Sequence, residues 1–433
     1  MSLAPAPTRV PPDESVVRRA RLAVGALFLT NGALLANLLP RYPEVKAELG
    51  LANSTYGLAL AAFPTGAILA GLLAATLIRR LGSASVAALG TAATAAGLLA
   101  AAWAPGAALF ALALLVAGAF DALTDVAQNA HGLRVQRHLG RSVINSFHAL
   151  WPVGAVLGGV MAAAAIALDV PLRIHLLISG LLFTVVALVA RRFALPGRDT
   201  DDVAHAADGS GATDGEGSSG AADSVSAADG AGGSTAPATS PAPRPGRGRT
   251  AAMLGALVLI AIAGTLVEDA GNSWATLYLS RDLGALATVA ASGFIALVGA
   301  QFVGRMLADG FVDRFGQRAV ARSGGALIAL GMGVALALPT VPGTIAGFAL
   351  AGFGSASLVP AAMQQADALP GLRPGTGLTV VSWLMRLGFL ASPPLVGVVA
   401  DAAGLRAGLL LVPLAGLAVV LLAGVLTGRR PTG

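Results

Sequence analysis

Between Arg18 and Arg430 the chain is a run of about a dozen apolar stretches, each long enough to cross a bilayer, broken once by a long polar insert. A hydrocarbon core about 30 Å thick takes roughly 20 apolar residues of helix. Lipid offers no partner for free backbone N–H and C=O groups, so such stretches must cross it as helices. With 55% hydrophobic and 12% charged residues, and a mean hydropathy of +0.76, a soluble fold of this size is excluded.

The expected architecture is an all-α membrane protein of twelve transmembrane helices in two pseudo-symmetric six-helix bundles. The spans fall at 20–40, 55–79, 83–103, 107–133, 142–167 and 171–192, then at 251–279, 287–311, 319–338, 343–366, 375–400 and 405–427. Connections are short and carry turn signals, as in Trp103-Ala104-Pro105-Gly106 and Leu369-Pro370-Gly371. The chain divides into a tail (1–17), a first bundle (18–193), a linker (194–250), a second bundle (251–428) and a closing tail (429–433). The linker is Gly, Ser, Ala, Asp and Pro with almost no large apolar residue, so it is expected to be a disordered tether.

Charge gives an orientation. With both termini in the cytoplasm, 21 Arg and Lys residues lie on the inner side and 5 (Arg41, Lys46, Arg173, Arg281, Arg406) on the outer. That asymmetry favours this topology in an inner cell membrane. Arg18, Arg19 and Arg21 precede an apolar run, but no small-residue cleavage site closes it, so no removable signal is expected. The net charge of +6 does not point to nucleic acid, because the basic residues sit at the ends of apolar runs without interleaved aromatics. Cysteine is absent and the five histidines have no metal-ligand spacing, so neither metal nor cofactor is expected. No catalytic constellation, phosphate loop or ATPase motif is present. The chain reads as a non-enzyme that draws energy from a gradient.

The two halves echo each other. Glu48-Leu49-Gly50 has a counterpart in Asp282-Leu283-Gly284, Arg80-Leu81-Gly82 in Arg314-Phe315-Gly316, and Gly154 in Gly388. Weak internal repetition of this kind is how six-plus-six transporters arise, with a central site between the halves.

Asp313-Arg314-Phe315-Gly316-Gln317-Arg318 resembles the signature loop of the major facilitator superfamily; the first-half copy is degraded, with Arg79 where an acidic residue is usual. Within that superfamily, Asp125-x-x-x-Asn129, Gly140-Arg141, Asn145-x-x-His148 and Gly154 resemble the fucose-permease-like and YbjJ-like branch. Glu268-Asp269-Ala270-Gly271-Asn272-Ser273-Trp274 with Tyr278-Leu279 fits the same branch. The resemblance implies transport by rocking two bundles around a midplane site. The drug-exporter signature is not cleanly present, since the fifth span reads Trp151-Pro152-Val153-Gly154. The Gly154-x-x-x-Gly158 spacing also serves close helix packing.

A charge near the bilayer centre costs at least about 2.5–3.5 kcal/mol on insertion scales, so each one needs a reason. Asp121, Asp125 and Asn129 are four apart and share one helix face. Two carboxylates about 6 Å apart repel when both are ionised and desolvation opposes charge, which suits one of them to exchange a coupling proton. Asp121, Asp125 and Glu268 are the expected proton-coupling residues. Asn31, Gln301, Arg386, Trp274 and Asn272 are the expected substrate contacts. Glu268 is taken for the cavity wall because it shares a face with Asn272, whereas Asp269 is expected to reach the interface. Gating or structural roles fall to Asn129, Asn145, His148, Arg305, Asp309, Asp313 and Arg314, with His148 bonding Asn129 and Arg305 pairing along its helix with Asp309. Arg386 must find a carboxylate or an anionic group on the substrate.

The expected function is proton-coupled uptake of a small polar solute by alternating access. The chain is expected as a monomer, with the bilayer, the solute and protons as its partners. Proton-driven efflux of a drug or metabolite, or a non-transporting sensor on the same fold, are the alternatives.

Overall fold

The computed structural model describes residues 13–141, 143–197, 247–373 and 375–428. Most of the 194–250 linker, residues 1–12 of the first tail and all of the closing tail lie outside the described residues, as does the Asn145 side chain. The first six spans are α1 (Glu14–Ala36), α2 (Asn53–Leu60, Ala62–Gly71 and Ala74–Leu81), α3 (Ser83–Ala102), α4 (Ala107–Leu139), α5 (Ile144–Ala167) and α6 (Leu172–Phe193). The second six are α7 (Arg247–Leu277), α8 (Ala287–Phe315), α9 (Gln317–Ala337), α10 (Val341–Ser355 and Leu358–Asp367), α11 (Thr376–Leu384 and Arg386–Ala403) and α12 (Leu405–Gly408 and Leu411–Leu422). Among the described residues eleven helices are long and apolar enough to cross a membrane, or twelve with the bent α2 counted as one.

Four spans, α2, α10, α11 and α12, are interrupted, and three of the breaks have local reasons. Helix α2, expected as one helix over 55–79, is interrupted at Ala61 and bent by 59° before Ala74. Pro64 has no N–H to return to Leu60, and Gly71 weakens the second junction. In α10 the second segment starts just before Pro360, which occupies its first turn. In α11 the break falls at Met385, where Thr265 Oγ1 of α7 donates to the Met385 carbonyl at 2.9 Å. A carbonyl freed inside a membrane protein needs such a partner. Helices α4 and α8 run past the expected ends at 133 and 311, to Leu139 and Phe315. Apolar length marks only the part of a helix that lies in lipid.

The repeat seen in the sequence is a repeat of backbone conformation. Gly50 and Gly284 take φ of 59° and 65°, and Gly82 and Gly316 take 81° and 83°. These are equivalent turns in the two halves, each in the left-handed region that glycine enters without a Cβ penalty. Packing repeats as well. A Cβ on Gly154 would collide with the Leu29 carbonyl, so α5 lies backbone-to-backbone on α1. At Gly388 it would meet Thr265 Oγ1 and Ile262 O, which puts α11 equally close to α7. The spacing Gly154-x-x-x-Gly158 therefore serves packing, as Gly158 meets Ala33 of the same α1. Outside, large apolar side chains cover the surface, with Leu421 80% and Leu72 74% exposed, the reverse of a soluble protein.

The two lobes touch on the side away from the termini. A Cβ on Gly57 (α2) would strike the Pro393 carbonyl of α11, and one on Gly397 (α11) would strike the Asn53 carbonyl of α2. Gly159 of α5 rests on Phe294 and Ile295 of α8. Tyr56 of α2 donates to the Ser273 carbonyl of α7 at 3.0 Å. On the termini side the facing walls are open, and Asp125, His148 and Arg386 are all exposed there.

Candidate functional site

At the deep end of this open vestibule three helices of the first lobe meet in a hydrogen-bonded chain. Asn31 of α1 donates through Nδ2 to Asp121 Oδ1 of α4 at 2.8 Å. Its own Oδ1 accepts the Trp151 indole N–H of α5 at 2.9 Å. Asn31 is 5% exposed and sits one residue before Gly32, where a Cβ would collide with the Trp151 carbonyl. That close approach of α1 to α5 is what brings the indole within reach of Asn31. Asp121 is half-buried, and Asp125, one turn nearer the termini, is exposed.

Asp125 is held by its own helix. Asn129 Nδ2 donates to Asp125 Oδ1 at 3.1 Å and to its carbonyl at 2.8 Å, and Gln128 Nε2 donates to Oδ1 at 3.3 Å. The expected bond between His148 and Asn129 is therefore replaced. Asn129 finds a nearer acceptor four residues back, and His148 lies edge-on to Phe28 with ring centroids 5.0 Å apart. His148 and Arg386 both lie within electrostatic reach of Asp125, so Arg386 of the second lobe faces an acidic residue of the first across the vestibule.

In the second lobe Glu268 of α7 is tied to α8. Gln301 Nε2 donates to Glu268 Oε2 at 2.7 Å, and an Arg305 guanidinium nitrogen lies 3.5 Å from the same oxygen. This corrects the expected pairing of Arg305 with Asp309. Glu268 comes from a facing helix, and Asp309 is exposed one turn away. Asp313 and Arg314 are exposed at the termini side, where the Arg314 guanidinium lies 5.4 Å from the Phe315 ring centroid.

A second correction concerns Asp269, expected at the interface. It turns inward to the seam between the lobes, with Ser273 Oγ 3.5 Å from its Oδ2 and Ser392 of α11 nearby. Tyr42 and Tyr56 of the first lobe lie near it. Adjacent carboxylates point about 100° apart, so one of the pair 268/269 had to face α8 and the other the seam. Trp274 is fully buried in that seam, edge-on to Tyr56 with centroids 5.0 Å apart. The Trp274 indole N–H and the Asn272 Oδ1 are buried without a hydrogen-bond partner. Neither opens to the vestibule in this conformation.

Sequence reasoning assigned no role to Trp151 or Tyr56. Trp151 had a usable signal, since it lies three residues beyond His148 on the same face of α5. Tyr56 is visible only once the lobes are together.

A family profile described as a transmembrane secretion effector matches residues 12–211. An uncharacterized transporter of Sinorhizobium fredii, y4wD, is 29% identical over 403 residues, spanning 93% of this chain and 97% of that protein. An uncharacterized MFS-type transporter of Yersinia pestis is 24% identical over 378 residues, spanning 87% and 88%. Among solved structures, the nucleoside transporter NupG superposes with a TM-score of 0.67 at 11% identity, over 94% of this chain and 97% of that one, a likeness of fold. Two six-helix lobes with repeated turns, a signature loop after α8, and similarity over most of the chain to uncharacterized transporters support a multi-pass membrane transporter of the major facilitator type.

Proposed function

We propose that the protein moves a small polar solute across the inner cell membrane by alternating access, coupled to protons, with Asp121 as the proton carrier. The observation that supports this most is the chain Trp151–Asn31–Asp121 at the deep end of the vestibule. It fixes one oxygen of a carboxyl group, leaves the group at the boundary between open vestibule and closed seam, and puts no cation against it among the described ion pairs. With both termini in the cytoplasm, the conformation is inward-open. In the proposed cycle the solute binds between Asp125, Arg386 and the Glu268–Gln301–Arg305 group. Protonation of Asp121 removes the charge that the lobes would otherwise bury as they rock, and release to the cytoplasm restores it. Asn129 and His148 line the same mouth, and Asp309, Asp313 and Arg314 act where the open side must close.

Uptake is the preferred direction. Export is the second reading, favoured by the description of the family profile as a secretion effector.

Reconstitution in proteoliposomes tests the coupling. Asp121→Asn is expected to keep solute exchange down equal concentrations while losing solute-driven proton movement. Full proton movement in that variant would overturn the assignment of Asp121.

A further inference from the structure

We propose that Asp401 is a latch that holds the far side of the transporter shut by capping, from one lobe, the start of α2 in the other. The inference rests on the alternating-access reading but concerns a residue remote from the vestibule. Asp401 Oδ1 accepts the Asn53 N–H at 2.9 Å, and its Oδ2 accepts the Ser54 N–H at 2.8 Å. Asn53 and Ser54 are the first residues of α2, and the residue before them, Ala52, has no side chain able to cap.

The first N–H groups of a helix have no intrahelical partner. A Ser, Thr, Asp or Asn at the preceding position ordinarily supplies one, and a negative charge is favoured there by the helix dipole. Here both contributions come from a residue 348 positions along the chain, on α11. Capping α2 and closing the lobes are therefore one event. When the far side opens, Asp401 and the two N–H groups must separate.

The geometry that seats the carboxylate is built for this contact. Gly397 and Asp401 are four residues apart and share one face of α11. A Cβ at Gly397 would strike the Asn53 carbonyl, so its absence admits the α2 backbone close enough for Asp401 to reach it. Lys46, in the first lobe, lies within electrostatic reach of Asp401. It shares with Asn53, Arg281 and Ala400 a far-side pocket of about 600 Å³ that opens beside the latch. The pocket gives water a route to the Asn53 donor once the carboxylate leaves, which makes the latch reversible.

The chain has no cysteine, so spin labels can be placed without removing any. Ala108→Cys and Pro339→Cys mark the far-side ends of the two lobes for pulsed electron paramagnetic resonance on the full chain in nanodiscs. Asp401→Ala is expected to raise the ratio of far-side-open to far-side-closed molecules about tenfold. Asp401→Asn, which keeps an oxygen acceptor, is expected to raise it less. Asn53→Pro removes one donor at the first helical position, where proline is tolerated, and Ala52 before it is already extended, with ψ of 157°. It should shift the ratio in the same direction, and the double variant should shift it by less than the product of the two single effects. Two populations that ignore Asp401→Ala, or single effects that multiply, would overturn the latch alone. One unchanging distance in the parent chain, with or without solute gradients and across pH, would sink alternating access and the latch with it.

Discussion

Two glycines with the same local geometry should have opposite consequences when given a side chain. At Gly57 and at Gly154 an added Cβ would overlap a backbone carbonyl oxygen, that of Pro393 and that of Leu29 respectively. The Gly154 contact joins α5 to α1 inside one lobe and is needed in every conformation. The Gly57 contact joins α2 to α11 across the lobes and is made only with the far side shut. Overpacking of this kind costs about 1–3 kcal/mol. At about 1.4 kcal/mol per factor of ten, Gly57→Ala should move the open-to-closed ratio of the far side by roughly 5-fold to 150-fold toward open. It should do so with little loss of thermal stability, because the open state relieves the clash. Gly154→Ala has no such escape and should lower the unfolding temperature, leaving the ratio near its original value. The label pair on Ala108 and Pro339 reads the first quantity, and thermal unfolding in detergent reads the second. If Gly57→Ala destabilises as much as Gly154→Ala and leaves the distance distribution alone, the seam is a static packing surface.

Further perturbations address the interior of each lobe and the seam. Asn31→Leu removes the acceptor for Trp151 and the donor to Asp121 while keeping the branched shape of the side chain. Membrane-protein hydrogen bonds average about 0.6 kcal/mol and reach about 1.7, so thermal unfolding should report a loss of roughly 1–3 kcal/mol, and transport should fall further than that loss explains. Trp274→Ala, at a fully buried site with an edge-on tyrosine, should cost about 3–5 kcal/mol in the far-side-closed state. Trp274→Phe should recover most of it, as read by unfolding temperature and by the far-side distance.

Much of this protein is written in one dimension. The apolar stretches fix the class, since lipid leaves a helix no alternative, and the glycines at 50, 82, 284 and 316 mark turns that proved equivalent in the two halves. The face shared by Asp121, Asp125 and Asn129 follows from helical spacing alone. Pairings between helices do not. Whether Arg305 meets Asp309 or Glu268 depends on the facing residue of α7, and a helical pattern says which residues share a face but not what lies opposite. Asp269, expected at the interface, and Trp274, expected to touch solute, are both taken into the seam, which shows only once the first lobe is packed over them. Asp401 is the extreme case, because the donors it serves belong to a helix 348 residues earlier. Composition and periodicity set the helices, because each satisfies its own backbone. Only tertiary packing decides how polar side chains from different helices pair, because those partners are distant in sequence and neighbours solely in space.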